Sequence, residues 1–126
     1  MRDNKVKAMM YMRVGNVEQL VVKGTEVACY ARSTSKKQMA KQIERLKNYC
    51  EKKGYDVKMT VSEKCKGRNF FRFKLNYLIR KRMPEVIVMD DVSRLSRNVL
   101  TANKYINKIR SRGKVLVFAE IDEIVL

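Results

Sequence analysis

Residues 85–98 read EVIVMDDVSRLSRN, which places an apolar run directly before a polar segment with two arginines. Residues 85–89 form a nearly continuous apolar run, which is the pattern of a strand covered on both faces of a sheet. Two aspartates end the run, and Arg94 and Arg97 follow, three residues apart. That spacing points both guanidinium groups to the same side of a helical turn. We therefore predict a central strand whose carboxyl end presents a pair of arginines.

Strand and helix patterns alternate on either side of this segment. Short apolar or alternating runs predict further strands at residues 26–32, 56–61, 114–118 and 121–126. Amphipathic runs predict helices at residues 38–53, 72–83 and 98–112. The residues expected to face the core on these helices are Met39, Ile43, Leu46, Cys50, Leu75, Leu78, Ile79, Val99, Ala102, Ile106 and Ile109. The alternation predicts an α/β fold of three layers, with a mostly parallel central sheet and helices on both faces.

This topology brings three loops together. All strands of a parallel sheet end at one edge, so the segments after residues 32, 61 and 89 should open into one crevice. Arg32 and three hydroxyl residues, 33–35, precede a helix amino terminus, where free N–H groups favour phosphate. Arg72, at the start of another helix, is a third arginine for the same edge. The alternatives are that the hydroxyls only cap the helix and that Arg94 and Arg97 are solvated surface charges.

The charge of the chain points to a polyanionic partner. Its 126 residues include 29 Lys and Arg against 13 Asp and Glu, a net charge of +16, so nucleic acid is the leading partner class. The absence of His from the sequence excludes a His general base, a Ser-His-Asp triad and a His zinc site. Cys29, Cys50 and Cys65 have spacings that fit neither a disulfide framework nor a zinc knuckle. We predict packed thiols and no metal site.

The length predicts one compact domain with a short addition. YMRVGNVEQ at residues 11–19 is a degenerate copy of YARSTSKKQ at residues 30–38. We predict that residues 1–24 are an amino-terminal extension, an edge strand and loop, and that residues 25–126 are the main domain. Because no stretch approaches the roughly 18 apolar residues of a membrane helix, we expect a cytoplasmic protein with no membrane partner.

Three segments together resemble a known family. YARSTSKKQ at residues 30–38, EKCKGRNFFR at 63–72 and VIVMDDVSRLSRN at 86–98 are similar to the catalytic domain of the serine recombinases, the resolvase and invertase family. The matching region covers residues 27–118. The resemblance implies a site-specific DNA recombinase with a resolvase-like fold, and DNA as the partner.

The resemblance also implies a mechanism without metal, ATP or another cofactor. A serine hydroxyl attacks the scissile phosphate and forms a 5′-phosphoseryl link. The free 3′-hydroxyl later attacks this link and reverses the step. Positions that match the family assign four arginines as clamps on the phosphate. These are Arg32, Arg72, Arg94 and Arg97. Gln38 and Gln42 are assigned to orient the site.

The nucleophile position departs from the family pattern. Counting from Arg32 places the family's serine at Thr34, whose extra methyl group crowds an attack, whereas counting back from Gln42 favours Ser33. Both remain candidates, so the intermediate would be a phosphoseryl or a phosphothreonyl link. The alternative hypothesis is a catalytically inactive resolvase-like protein that binds DNA or a recombinase partner.

Other departures concern the flanking loops. Lys66 stands where a serine is usual, Glu63 where an aspartate is usual, and Ser93 where many members have aspartate. Family members continue into a long dimerising helix and a DNA-binding module, and this chain stops before either. We therefore expect a homo-oligomer, a dimer or tetramer, when that helix is present.

Two further expectations concern the arginines and the aromatic residues of the second loop. An unrelated basic α/β domain would leave Arg32, Arg94 and Arg97 apart from one another. The aromatic residues around the second loop, 70, 71 and 73, are expected to pack inside rather than to form contacts with a partner.

Overall fold

The computed structural model describes residues 13–16, 21–64 and 72–125. The strands are β1 (Arg13–Asn16), β2 (Glu26–Ser33), β3 (Asp56–Lys64), β4 (Val86–Met89), β5 (Val115–Phe118) and β6 (Glu123–Val125). The helices are α1 (Lys36–Lys53), α2 (Phe73–Arg80) and α3 (Val99–Ser111), and Val92–Arg94 form a 3-10 turn.

The six strands form one mixed sheet in the order β1-β6-β5-β4-β2-β3. β3, β2, β4 and β5 are parallel to one another, whereas β6 pairs antiparallel with β5 on one side and with the edge strand β1 on the other. Tyr30 of β2 lies between Val61 of β3 and Met89 of β4 in register. The predicted mostly parallel sheet is confirmed, and the ends of β2, β3 and β4 lie at one edge of it.

Helices cover both faces of the sheet. Alternate residues of β2 point to opposite sides: Tyr30 packs with the buried faces of α2 and α3, and Cys29 packs with α1. Leu75 of α2 and Ile106 of α3 belong to the first of these clusters, and Leu46 of α1 belongs to the second. The predicted three layers are confirmed, and a parallel sheet buried on both sides explains why its strands are almost uniformly apolar.

Helix ends differ from the predictions by a few residues. The Ser35 hydroxyl accepts a hydrogen bond from the Gln38 N–H at 3.3 Å, so α1 begins at Lys36 and not at residue 38. Gly54 ends α1 in the left-handed conformation, at φ 75°. Helix α2 ends at Arg80 and not at residue 83, because Lys81 is already extended and Pro84 cannot continue a helix.

Two predictions about apolar side chains were wrong. Val99 was assigned to the core face of α3 but is 42% exposed, because it is the first residue of the helix and lies at the rim of the sheet. Phe73 was expected to pack inside but is 72% exposed on the first turn of α2. Residues 70 and 71 lie outside the described residues. The other helix positions predicted to face inward are buried or half-buried.

Two of the three cysteines lie within the described residues, as does part of the amino-terminal segment. Cys29 and Cys50 are free, buried thiols whose sulfur atoms lie 3.6 Å apart, which agrees with packed thiols. Cys65 and most of residues 1–24 lie outside the described part, apart from β1 at the sheet edge. None of the helices in the described ranges combines the length and the hydropathy that a membrane span requires.

Candidate active site: an arginine-lined cavity

A cavity of about 290 Å3 opens at the carboxyl ends of β2 and β4. Its walls come from three segments that are distant in the sequence. The lining residues are Arg32, Ser33, Thr34, Gln38, Arg72, Ser93, Arg94, Ser96 and Arg97. Among the described residues, the lining holds four arginines and no carboxylate, so its chemistry suits a phosphate group bordered by hydroxyls.

The end of β2 is held in place by Gln42 of α1. The buried Gln42 amide accepts a hydrogen bond from the Arg32 backbone N–H at 2.9 Å and donates one to the Arg32 carbonyl at 3.1 Å. Arg32 is still paired with β3, but the pairing of β2 with β4 ends at Tyr30, and the Gln42 side chain supplies backbone hydrogen bonds beyond that point. Gln42 lies behind the cavity and positions Arg32, which is itself only 8% exposed.

The two candidate nucleophiles differ in their surroundings. Ser33 is buried, and its hydroxyl donates to the Gln38 side-chain oxygen at 3.3 Å and accepts from the Ser35 N–H at 3.3 Å. Thr34 is exposed and lines the cavity. The Ser33 hydroxyl is therefore engaged by the loop itself, whereas the Thr34 side chain faces the space that a substrate would occupy.

The segment after β4 is organised by Asp91. The Asp91 Oδ1 accepts hydrogen bonds from the Ser93 backbone N–H at 2.8 Å and from the Ser93 hydroxyl. The Asp91 side chain thereby caps the turn that carries Arg94. Burial pushes the pKa of Asp91 upward, but the hydrogen bonds with Ser93 and Glu120 and the Arg94 charge outweigh it, so the pKa lies below its usual value. The Asp91 carboxylate thus fixes the Ser93 side chain and the start of the turn that leads to Arg94.

Arg94 connects the two strand ends. Its Nη1 donates to the Arg32 carbonyl at 2.9 Å, and its Nη2 lies 3.7 Å from the Asp90 Oδ2. The buried Asp90 carboxylate also accepts from the Arg45 Nη2 at 2.6 Å. Arg94 is thus held between β2 and β4 with part of its charge offset, whereas Arg97 is exposed at the mouth of the cavity.

Arg72 enters from the third segment. It is 7% exposed, and its guanidinium lies 5.2 Å from the centre of the Tyr105 ring of α3, a cation–π contact. Arg72 has no side-chain capping bond at the start of α2, and Glu63 of β3 supplies one by accepting from the Lys74 N–H at 2.7 Å. The first turn of α2, and with it Arg72, is thereby tied to the sheet.

Glu63 also forms a hydrogen bond with a tyrosine of the core. Its second oxygen accepts from the Tyr30 hydroxyl at 2.5 Å. Burial, followed by the hydrogen bond to Glu63, raises the pKa of Tyr30, so the phenol stays protonated and remains a donor.

The structure brings together seven of the eight residues predicted for the site. The eighth, Gln42, lies one layer behind and touches Arg32. Sequence reasoning missed Tyr105 and the link from Tyr30 through Glu63 to α2. No spacing in the sequence marks these contacts, since each joins elements that only the tertiary fold makes adjacent.

The family profile described as "Resolvase, N terminal domain" matches residues 27–125. This chain belongs to that family. The predicted resemblance is therefore confirmed, and the hypothesis of an unrelated basic domain is wrong: Arg32, Arg94 and Arg97 of this resolvase domain line one cavity. No curated protein matches the chain.

Three solved structures are similar to this resolvase domain. The C-terminal catalytic domain of ISC1926 TnpA, an IS607-like serine recombinase, is 27% identical and covers 74% of this chain and 68% of its own, with a TM-score of 0.63. The corresponding domain of IS1535 TnpA, also an IS607-like serine recombinase, is 26% identical over 74% and 70%, with a TM-score of 0.60. The N-terminal catalytic domain of TP901-1 integrase, 22% identical over 77% and 78%, has a TM-score of 0.67 and shows the shared fold.

Proposed function

We propose that this resolvase domain is the catalytic domain of a site-specific DNA recombinase, with Thr34 as its nucleophile. The observation that carries the proposal is the cavity in which Thr34 lies among four arginines from three segments. A phosphodiester in that cavity would face a hydroxyl and several guanidinium groups at once. Two IS607-like serine recombinase domains that are more than 25% identical to the chain support the same function.

We assign the nucleophile to Thr34 and not to Ser33 because Thr34 is exposed and Ser33 is buried. The Ser33 hydroxyl would have to leave two partners in its own loop before it could attack, whereas Thr34 is exposed at the cavity. A threonine hydroxyl has the same chemistry as a serine hydroxyl. Its methyl group restricts rotation about χ1 and crowds the approach to phosphorus, so we expect a slower nucleophile than serine.

In the proposed reaction the Thr34 oxygen attacks the scissile phosphorus. The bond from that oxygen to phosphorus forms, the bond from phosphorus to the 3′-oxygen breaks, the threonine loses its proton to solvent, and the 3′-oxygen gains one. Charge builds on the phosphoryl oxygens as the bonds exchange, and Arg32, Arg72 and Arg97 would stabilise it. One phosphoester replaces another, so the link stores the energy that rejoining later uses.

The proposed partners are DNA and further copies of the chain. Exchange between two duplex sites requires four strand cuts, and in the proposed reaction each chain makes one cut, with Thr34 as its nucleophile. A homo-oligomer that assembles four such sites satisfies this requirement. A DNA substrate also fits the cytoplasmic location predicted from the sequence.

The second candidate function is a catalytically inactive relative that binds DNA or a recombinase partner. The threonine at position 34 is the observation that favours it, because the extra methyl group lies on the carbon that bears the nucleophile. Such a protein would bind DNA with salt-sensitive affinity and would form no covalent adduct.

The test is covalent adduct formation on DNA. The chain is fused to a dimerising helix and a sequence-specific DNA-binding module, and adducts are trapped by denaturation. We expect an adduct with the wild-type chain, a faster one with Thr34→Ser, none with Thr34→Ala, and retention of the adduct with Ser33→Ala. An adduct with Thr34→Ser but none with the wild type would favour the inactive relative. If neither the wild type nor Thr34→Ser forms an adduct in an assembly that binds its DNA site, the proposal is overturned.

A further inference from the structure

A second concavity of about 380 Å3 lies between α2 and α3, beside the arginine-lined cavity. We call it the α2–α3 groove. Its lining residues are Arg72, Asn76, Thr101, Lys104, Tyr105 and Lys108. Arg72 lines both the groove and the arginine-lined cavity, so the two spaces adjoin at this guanidinium.

The groove is basic and uncompensated by acidic side chains of its own. Lys104 and Lys108 are exposed, and the Lys108 ammonium donates to the neutral Asn76 side-chain oxygen at 2.9 Å. An ammonium has three N–H donors, so this bond leaves Lys108 able to bind an anion as well. Among the described residues, no carboxylate lines the groove.

The surrounding sequence extends this imbalance. Residues 72–84 and 92–119 contain twelve Lys and Arg residues and no Asp or Glu. These two ranges include both helices that cover this face of the sheet. On the opposite face, by contrast, Lys53 and Arg45 of α1 pair with carboxylates at 2.9 and 2.6 Å. The two helices on the groove side thus bring a large excess of positive charge to that face.

The cations of the groove are also arranged along a line. Lys104, Tyr105 and Lys108 follow Thr101 by three, four and seven residues, so all four share one side of α3. Lys104 and Lys108 are separated by about 6 Å along the helix axis, given the rise of 1.5 Å per residue. They therefore continue, away from Arg72, the series of positive groups that begins in the arginine-lined cavity.

We propose that the α2–α3 groove binds backbone phosphate of the cleaved DNA strand next to the scissile phosphate, with Lys104 and Lys108 as its ligands. This inference rests on the proposed function, because the scissile phosphate in the first cavity sets the position of its neighbour. The shared Arg72 lies where the two phosphates would adjoin. Contacts to phosphate fix the position of the strand without reading its bases, so the groove contributes affinity without sequence preference.

The test compares two charge-matched double variants of the 126-residue chain. Lys104→Gln/Lys108→Gln removes the groove cations, and Lys47→Gln/Lys52→Gln removes two exposed cations from α1 on the opposite face. The affinity of each protein for a duplex oligonucleotide is measured by fluorescence anisotropy over a range of salt concentrations. Circular dichroism establishes that each variant is folded.

We expect the groove variant to reduce the slope of log affinity against log salt by about two, since each lost phosphate contact removes about one. The α1 variant should leave the slope unchanged. An equal loss in both variants, or no loss in the groove variant, would overturn the inference. The adduct assay separates the two proposals: an adduct without a groove-specific slope change refutes only the groove, and a groove-specific change without an adduct refutes only the catalytic proposal.

Discussion

The side chain of Gln42 pairs with the backbone of Arg32 through two hydrogen bonds, of 2.9 and 3.1 Å, inside the protein. The pair joins α1 to the end of β2, immediately before the Ser33 and Thr34 hydroxyls. It serves as a substitute for the strand neighbour that the Arg32 peptide groups would otherwise need. The position of the candidate nucleophile is thus set by a helix on the opposite side of the sheet from Arg72.

Replacing Gln42 with Ala should destabilise the protein. The change leaves the Arg32 N–H without its buried acceptor and removes a donor to its carbonyl, so we expect a loss of about 1–3 kcal/mol in the free energy of unfolding. Urea denaturation measures it. The control is Lys47→Ala on the exposed side of α1, for which we expect about 0.5 kcal/mol or less. Equal effects of the two changes would contradict the role of Gln42.

Replacing Glu63 with Ala should loosen the start of α2. The change removes the acceptor of the Lys74 N–H and the acceptor of the buried Tyr30 hydroxyl. We expect a loss of about 1–3 kcal/mol in the free energy of unfolding, measured by urea denaturation. Glu44→Ala, an exposed change on α1, is the matched control and should have an effect of about 0.5 kcal/mol or less. A Glu63→Ala protein as stable as this control would refute the link.

Two substitutions at Tyr105 should distinguish the effect of its aromatic ring from the effect of its hydroxyl. Tyr105→Phe keeps the ring face beneath the Arg72 guanidinium, so the rate of DNA adduct formation should stay close to that of the wild type. Tyr105→Leu removes the cation–π contact, and we expect adduct formation to slow on the order of two- to thirtyfold, corresponding to about 0.5–2 kcal/mol. Equal rates for the Phe and Leu variants would show that the ring face does not hold Arg72.

The stabilising effect of Asp91 should depend on pH. Because its pKa is lower in the folded protein than in the unfolded chain, the carboxylate stabilises the fold above the unfolded pKa of about 3.9 and loses this effect as the pH falls through the folded pKa. Asp91→Asn should therefore be less stable than the wild type at pH 7, and the difference should shrink below about pH 4. Urea denaturation across this pH range measures the difference, and a constant value would contradict the assignment.

Much of the fold and of the candidate site follows from the sequence. The apolar run at residues 86–89 fixes a central parallel strand, and parallel strands end at one edge, so Arg32 and Arg94 had to approach each other. Contacts such as Arg72 with Tyr105 were not predictable, because they depend on how α2 and α3 pack. The exposure of Phe73 was missed for a related reason: an apolar residue on a short helix does not reveal which side faces the sheet.

Mass spectrometry that locates the link to DNA tests the claim that Thr34 becomes joined to DNA within the arginine-lined cavity. Cleavage after Arg32 and Lys36 by trypsin gives a peptide of residues 33–36, which carries all three hydroxyls of the loop, so fragmentation must assign the modified residue. We predict a 5′-phosphorylated DNA end on Thr34. A link on Ser33 or Ser35, or a peptide that stays unmodified while the DNA is cut, would contradict the claim.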